Sequence, residues 1–233
     1  MTNQLRVELY KLTRFLGIYL AVIVLAGIGF SYGYIKLSVL NTISVNEVFQ
    51  SVVSDTSLMF INLLVIAWFL GKDFSTRTIQ NEIRIGYSRK SVLISRYIIT
   101  FFAVIMMHFT WIASTLIGFI VKHGMDSNIF CFRNFIWLLI VFLQVVAVTS
   151  MVVMIEFFAK NASVAMVATA ISVFIGCNVI RNYVDADVYQ FTCFGLAQSG
   201  SWEVLLPAML YAIVLMLVFG VITCLGFRKA EVK

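Results

Sequence analysis

The sequence predicts an all-α integral membrane protein with six transmembrane helices, an N-terminal amphipathic interfacial helix and a short cytoplasmic helix between the second and third spans. Three observations lead there. The chain of 233 residues is 61% hydrophobic and only 12% charged, more apolar than a water-soluble domain of this length can hide. Long uncharged runs recur between short charged clusters, and a spanning helix needs about 20 apolar residues to cross a hydrocarbon core of roughly 30 Å. The basic residues fall in alternate connections, the pattern left by retention on the cytoplasmic side during insertion.

Residues 3–14 form the interfacial helix. Leu5, Leu9, Leu12 and Leu16 recur at spacings of four, three and four, which is one helical face, while Arg6, Lys11 and Arg14 point elsewhere. Such a segment lies in the interface plane, apolar face toward the acyl boundary and basic face toward the headgroups; presenting a surface to a partner protein is compatible with that. Residues 15–36 are the first span. The run Phe15 to Ile35 has 21 residues without a charge, longer than the core of a signal peptide, and reads as a retained anchor. The second span covers residues 49–71. Its clear part, Thr56 to Gly71, has only 16 residues between Asp55 and Lys72, too short at about 1.5 Å each. The helix therefore begins earlier, with Asp55 near the outer interface or a watery cavity. Residues 72–96 are a charged cytoplasmic loop. The remaining spans are residues 97–121, 135–158, 161–180 and 204–227, and residues 181–203 are a long outer connection carrying Asp185, Asp187, Phe191, Gly195 and Gly200. The whole chain, 1–233, is one transmembrane domain.

With the N-terminus inside, 13 of the 17 Lys and Arg residues are cytoplasmic, leaving Lys36, Lys122, Arg133 and Arg181 outside. The net charge of +6 thus sits where anionic lipid headgroups meet it and implies no nucleic-acid partner. Cys131, Cys177, Cys193 and Cys224 have neither metal-ligand nor redox spacing. Cys131 and Cys193 both fall near the outer face, and spacing alone does not say whether they pair.

No catalytic constellation is evident, so no enzyme is expected. His108 and His123 lack the neighbouring Glu of a one-helix zinc site. The stretch Gly86-Tyr87-Ser88-Arg89-Lys90 opens like a nucleophile elbow but has Lys at the place of the last Gly. Gly71-Lys72 follows Ile66 and precedes Asp73, where a phosphate loop needs Gly and Ser or Thr. The chain is expected to bind no ATP, no other cofactor and no metal itself. Asn62, Gln144 and Asn178 are the conspicuous polar side chains of the spans, and interhelical hydrogen bonding is their first explanation.

The loop after the second span is the most informative segment. Ile79 and Ile83 share a helical face, Arg77, Gln80, Asn81 and Arg84 lie mainly away from it, and Gly86 is placed to end the helix. Docking on the protein's own helix ends or on a partner would each use the two Ile.

With Asp73-Phe74, Thr78-Ile79, Ser88-Arg89 and Arg96 in place, the chain resembles the ABC-2 type permeases, membrane subunits of bacterial ATP-binding-cassette exporters, over nearly its whole length. Their loop often reads acidic-aromatic-x-x-Gly-Thr-Ile, then Ser-Arg, then a Lys opening the third span; Arg77 stands where Gly is common. The resemblance implies a bacterial cell-membrane protein with both termini cytoplasmic, and a coupling helix over roughly Ser75 to Arg84 docking on an ATPase subunit. Arg77, Ile79, Gln80, Asn81, Ile83 and Arg84 would carry the coupling. The link around Glu156, Lys160 and Asn161 would be a second contact or simply a tight turn, and residues 181–203 would hold short re-entrant helices or an ordinary loop. The implied partners are two ATPase subunits, which bind the ATP, and a second permease, identical or related. The small size is similar to that of Gram-positive permeases that export, or confer immunity to, lantibiotics and other membrane-active peptides, which implies an amphipathic or hydrophobic substrate. The rivals are an ion-coupled carrier or channel, which needs His108, Asn62 or Asp55 to face a pore, an intramembrane enzyme, and a non-transporting assembly or sensory subunit.

Overall fold

In the computed structural model the described residues are 2–35, 45–53, 58–124, 132–175, 181–183, 192 and 202–229, and all their regular structure is helical. The elements are α1 (Thr2–Arg14), α2 (Leu16–Ile35), α3 (Val45–Val53), α4 (Met59–Ser75), α5 (Thr78–Arg84), α6 (Arg89–His123), α7 (Phe132–Ala159), α8 (Ala162–Phe174), α9 (Arg181–Tyr183) and α10 (Trp202–Lys229). Four of these, α2, α6, α7 and α10, are long and apolar enough to cross a membrane, and a fifth candidate is the bent pair α4 and α5, whose axes differ by 54°. α3 and α4 fall on the second predicted span; Asp55 between them lies outside the described residues. α8 covers 13 residues of the fifth predicted span. Asn178, Cys131, Cys193 and most of residues 181–203 also lie outside the described residues.

The fold is built from three extensive helix pairings, α2 with α6, α7 with α10, and α4 with α8. The first is close because glycines let backbones meet. A Cβ on Gly33 would strike the Thr115 carbonyl, one on Gly118 the Phe30 carbonyl, and one on Gly29 the Ser114 hydroxyl. On α4, a Cβ on Gly71 would collide with the backbone of Ala162 at the start of α8. Large exposed apolar residues cover the outer faces instead, among them Ile23 and Ile28 of α2, Val167 and Ile171 of α8, and Leu210, Val214 and Leu217 of α10. That distribution is an apolar surface turned toward hydrocarbon and small residues turned inward.

One end of the bundle gathers most of the charge. There α1, the end of α4, α5, the start of α6 and the ends of α7 and α10 converge. Phe157 of α7 packs edge-on against Phe74 of α4 at 5.2 Å and Phe227 of α10 at 4.9 Å, and the Arg89 guanidinium donates to the Phe227 carbonyl at 3.3 Å. α7 passes into α8 through two residues only. Lys160 takes the left-handed conformation, φ 50°, and the Asn161 side chain caps α8 by accepting from the Ser163 amide at 3.0 Å. This is the tight turn foreseen around Lys160 and Asn161.

Gly33→Leu or Gly118→Leu is expected to cost at least the roughly 1–3 kcal/mol of overpacking, whereas Gly27→Ala, with open space at its Cβ, is expected to be silent. Thermal unfolding of the detergent-purified chain, followed by size-exclusion fluorescence, checks the ranking.

Candidate functional site

The site is a buried charge cluster that holds α5 in place. Arg96, in the second turn of α6, has a side chain with 0% exposure. Its Nη1 donates to Glu8 Oε2 of α1 at 3.2 Å, and its Nη2 to both oxygens of Glu82 on α5 at 3.1 and 3.2 Å. Nη1 also pairs with Asp73, at the end of α4. A second cation, Lys11 of α1, donates to Glu8 at 2.7 Å and to Glu82 at 2.8 Å, with Asp73 at 3.9 Å. Four helices are thus tied by five side chains, three acids against two bases. Burial pushes the Glu82 carboxyl above the usual range, and Glu8 adds to this, while Lys11 pulls it down. Gln4 and Ser91 hydrogen-bond beside the cluster and fasten α1 to α6 again.

α5 owes its shape to its ends. Arg77, before it, adopts the left-handed conformation, φ 56°, which a residue with a Cβ enters at a cost of about 1–2 kcal/mol. After it, Gly86 has φ 103°. The Tyr87 amide donates to the Glu82 carbonyl at 3.2 Å and the Gly86 amide to the Ile83 carbonyl at 3.1 Å, which is a Schellman ending with Gly at its left-handed position. Ser88 then caps α6, accepting from the Ser91 amide at 3.2 Å.

Of the residues predicted to carry coupling, Arg77, Asn81 and Arg84 are exposed, Gln80 is half-buried, Ile79 is buried at 3% exposure, and Ile83 packs against the core. The two Ile therefore dock on the protein's own helix ends. Beyond α5, Ile85 is 78% exposed and Tyr87 is exposed as well. The outward surface is Arg77, Asn81, Arg84, Ile85 and Tyr87. Sequence reasoning passed over Ile85 because it lies past the periodic pair.

α1 also faces differently from its leucine pattern. Leu9 and Leu16 are exposed, as an acyl-facing stripe requires, but the inward face is Gln4, Glu8, Leu12 and Phe15. Glu8 was missed. The available signal was its place four residues after Gln4 and four before Leu12, an acid on a face that then continues apolar. Asn62, His108 and Gln144 are all buried within the bundle, and His108 lies edge-on to Phe142 at 6.1 Å. Glu156 on α7 is fully buried, and neither carboxyl oxygen has a hydrogen-bond partner among the described residues. No group of three or more His, Cys, Asp and Glu among the described residues is arranged to hold a metal ion.

Compared with protein-family models, curated proteins and solved structures, the chain gives no match in any of the three.

Arg96→Met leaves three carboxylates facing one Lys and is expected to cost about 3–5 kcal/mol, the usual penalty for breaking a buried pair. Glu82→Gln removes the surplus negative charge and is expected to cost under about 1 kcal/mol. Unfolding temperatures of the two purified variants decide this, and equal damage contradicts the charge count. At position 77, Gly is expected to match or exceed Arg in stability, and Val, β-branched at positive φ, to fall below it.

Proposed function

We propose that this chain is the membrane-spanning permease subunit of an ATP-driven exporter of the ABC-2 type, with α5 as the helix that couples it to a separate ATPase. The observation that carries the reading is a short helix at the charged end of the bundle. It is locked by the ion pairs of Glu82 to two other helices, α1 and α6, yet it presents an exposed face of Arg77, Asn81, Arg84, Ile85 and Tyr87. An apolar anchor ringed by polar groups suits a reversible protein contact. A push on α5 passes through Glu82 into Arg96 and so into the long helix α6, which is a rigid-body route rather than a loop flexing.

Chain direction supports six crossings with both termini on the cytoplasmic side. α1, the end of α4, the ends of α7 and α10, and the starts of α6 and α8 all lie at the charged end. Every outward helix therefore has a returning one: α2 with α4, α6 with α7, and α8 with α10. The basic excess at this end supports its being cytoplasmic. The spans carry few charges, which favours an amphipathic or hydrophobic substrate such as a membrane-active peptide, moving between this chain and a second permease. The cell membrane of a bacterium is the setting this implies.

Purification of the tagged chain from its native membrane in mild detergent, with mass spectrometry and an ATP hydrolysis assay, is expected to recover a stoichiometric subunit bearing a phosphate loop. Ile85→Asp and Arg84→Glu are expected to weaken that association at least about tenfold while the chain stays folded; Ile79→Asp is expected to disrupt the fold itself. A chain that purifies alone and without hydrolysis contradicts the proposal.

A further inference from the structure

A groove of about 370 Å³ opens between α1 and the end of α4. Its lining includes Tyr10, Arg14, Phe15, Phe69, Lys72 and Thr76. The two other charges that border it, Lys11 and Asp73, are committed to the buried cluster. Arg14 and Lys72 are not: both are exposed, and neither makes an ion pair among the described residues. Each leans instead on an aromatic ring, Arg14 over Tyr10 at 5.1 Å and Lys72 over Phe15 at 6.0 Å. Phe15 in turn stacks edge-on with Trp68 at 4.9 Å and packs on Phe69 at 5.3 Å. Trp68 is itself exposed, an indole at the level where aromatic side chains meet headgroups.

We infer that this groove binds the headgroup of an anionic phospholipid, its phosphate held between Arg14 and Lys72 and its glycerol end against the aromatic wall. Two cations without an ion-pair partner among the described residues face an aromatic floor at the charged end of the bundle. Arg offers a fork that matches phosphate oxygens, and Lys a point charge beside it. A soluble phosphate would use the cations but not the wall. The lipid uses both, because its acyl chains can follow the exposed apolar face of α2, where Leu16, Tyr19 and Leu20 stand. With the lipid bound, the hinge between α1 and α2 and the end of α4 would be bridged from outside the buried cluster. The inference does not depend on the exporter reading and survives its failure.

Native mass spectrometry of the full-length chain in nonionic detergent, titrated with phosphatidylglycerol and separately with phosphatidylcholine, tests it. The expected result is one tightly held phosphatidylglycerol, preferred over phosphatidylcholine. Arg14→Gln with Lys72→Gln is expected to weaken that adduct about 25-fold, taking about a fivefold factor for each basic side chain near an anionic headgroup. Arg6→Gln with Lys90→Gln, exposed cations that do not line the groove, is expected to leave it unchanged. Equal loss in both double variants overturns the site in favour of general surface charge, as does equal binding of the two lipids. Displacement of the lipid by millimolar glycerol phosphate assigns the groove to soluble phosphate esters and overturns the lipid inference. The exposed positions of Arg14 and Lys72 keep both variants foldable, and Arg14→Lys with Lys72→Arg, which preserves the charge, is expected to retain the adduct.

Discussion

Everything at the charged end of this protein depends on Arg96 being buried with its charge matched. A guanidinium with no exposure cannot be left unpaired in a medium of low dielectric without a penalty of several kcal/mol. Its partners come from three other elements, Glu8 on α1, Asp73 on α4 and Glu82 on α5. Moving any one of these helices away from α6 alone would open an uncompensated charge, so the four move as one body. Lys11 reinforces the arrangement from the same helix as Glu8. The third acid leaves a surplus negative charge, which a proton on Glu82 would relieve, since burial holds that carboxyl above its ordinary range.

Around this platform the rest of the bundle is apolar packing with defined contact points. Glycines on α2 and α6 bring two backbones together, Gly71 admits the start of α8, and Phe157 joins the ends of α4 and α10. Glu156 sits in the same layer, close enough that a Cβ on Gly71 would lie 3.1 Å from its Oε2. The charged platform and the long apolar helices are therefore mechanically continuous. A force delivered at the exposed side of α5 reaches α4, α6 and, through α4, the contact with α8. That continuity is what the proposed coupling to an ATPase requires.

Much of the architecture was legible in the sequence because hydrocarbon imposes a simple rule. Uncharged runs long enough to cross became α2, α6, α7 and α10, Gly86 ended α5, and Asn161 began α8. What sequence did not reveal were the faces. The leucine spacing of residues 5–16 marks one side of α1, but both sides are occupied, one by apolar exposed residues and one by Glu8 reaching Arg96. Likewise, Ile79 and Ile83 share a face for internal docking, while the exposed apolar residue is Ile85. Asp73 and Arg96 were legible as charges at the two ends of one loop. Their pairing was not, since 23 positions separate them and only the return of α6 past the end of α4 brings them together.

The most direct test of the central claim is a photo-cross-linking residue placed at position 85 and activated in the native membrane, with position 23, on the apolar face of α2, as the control. The account predicts an adduct from position 85 to a protein carrying a phosphate loop, and none from position 23. An adduct at position 85 only to lipid or to this chain itself would contradict it.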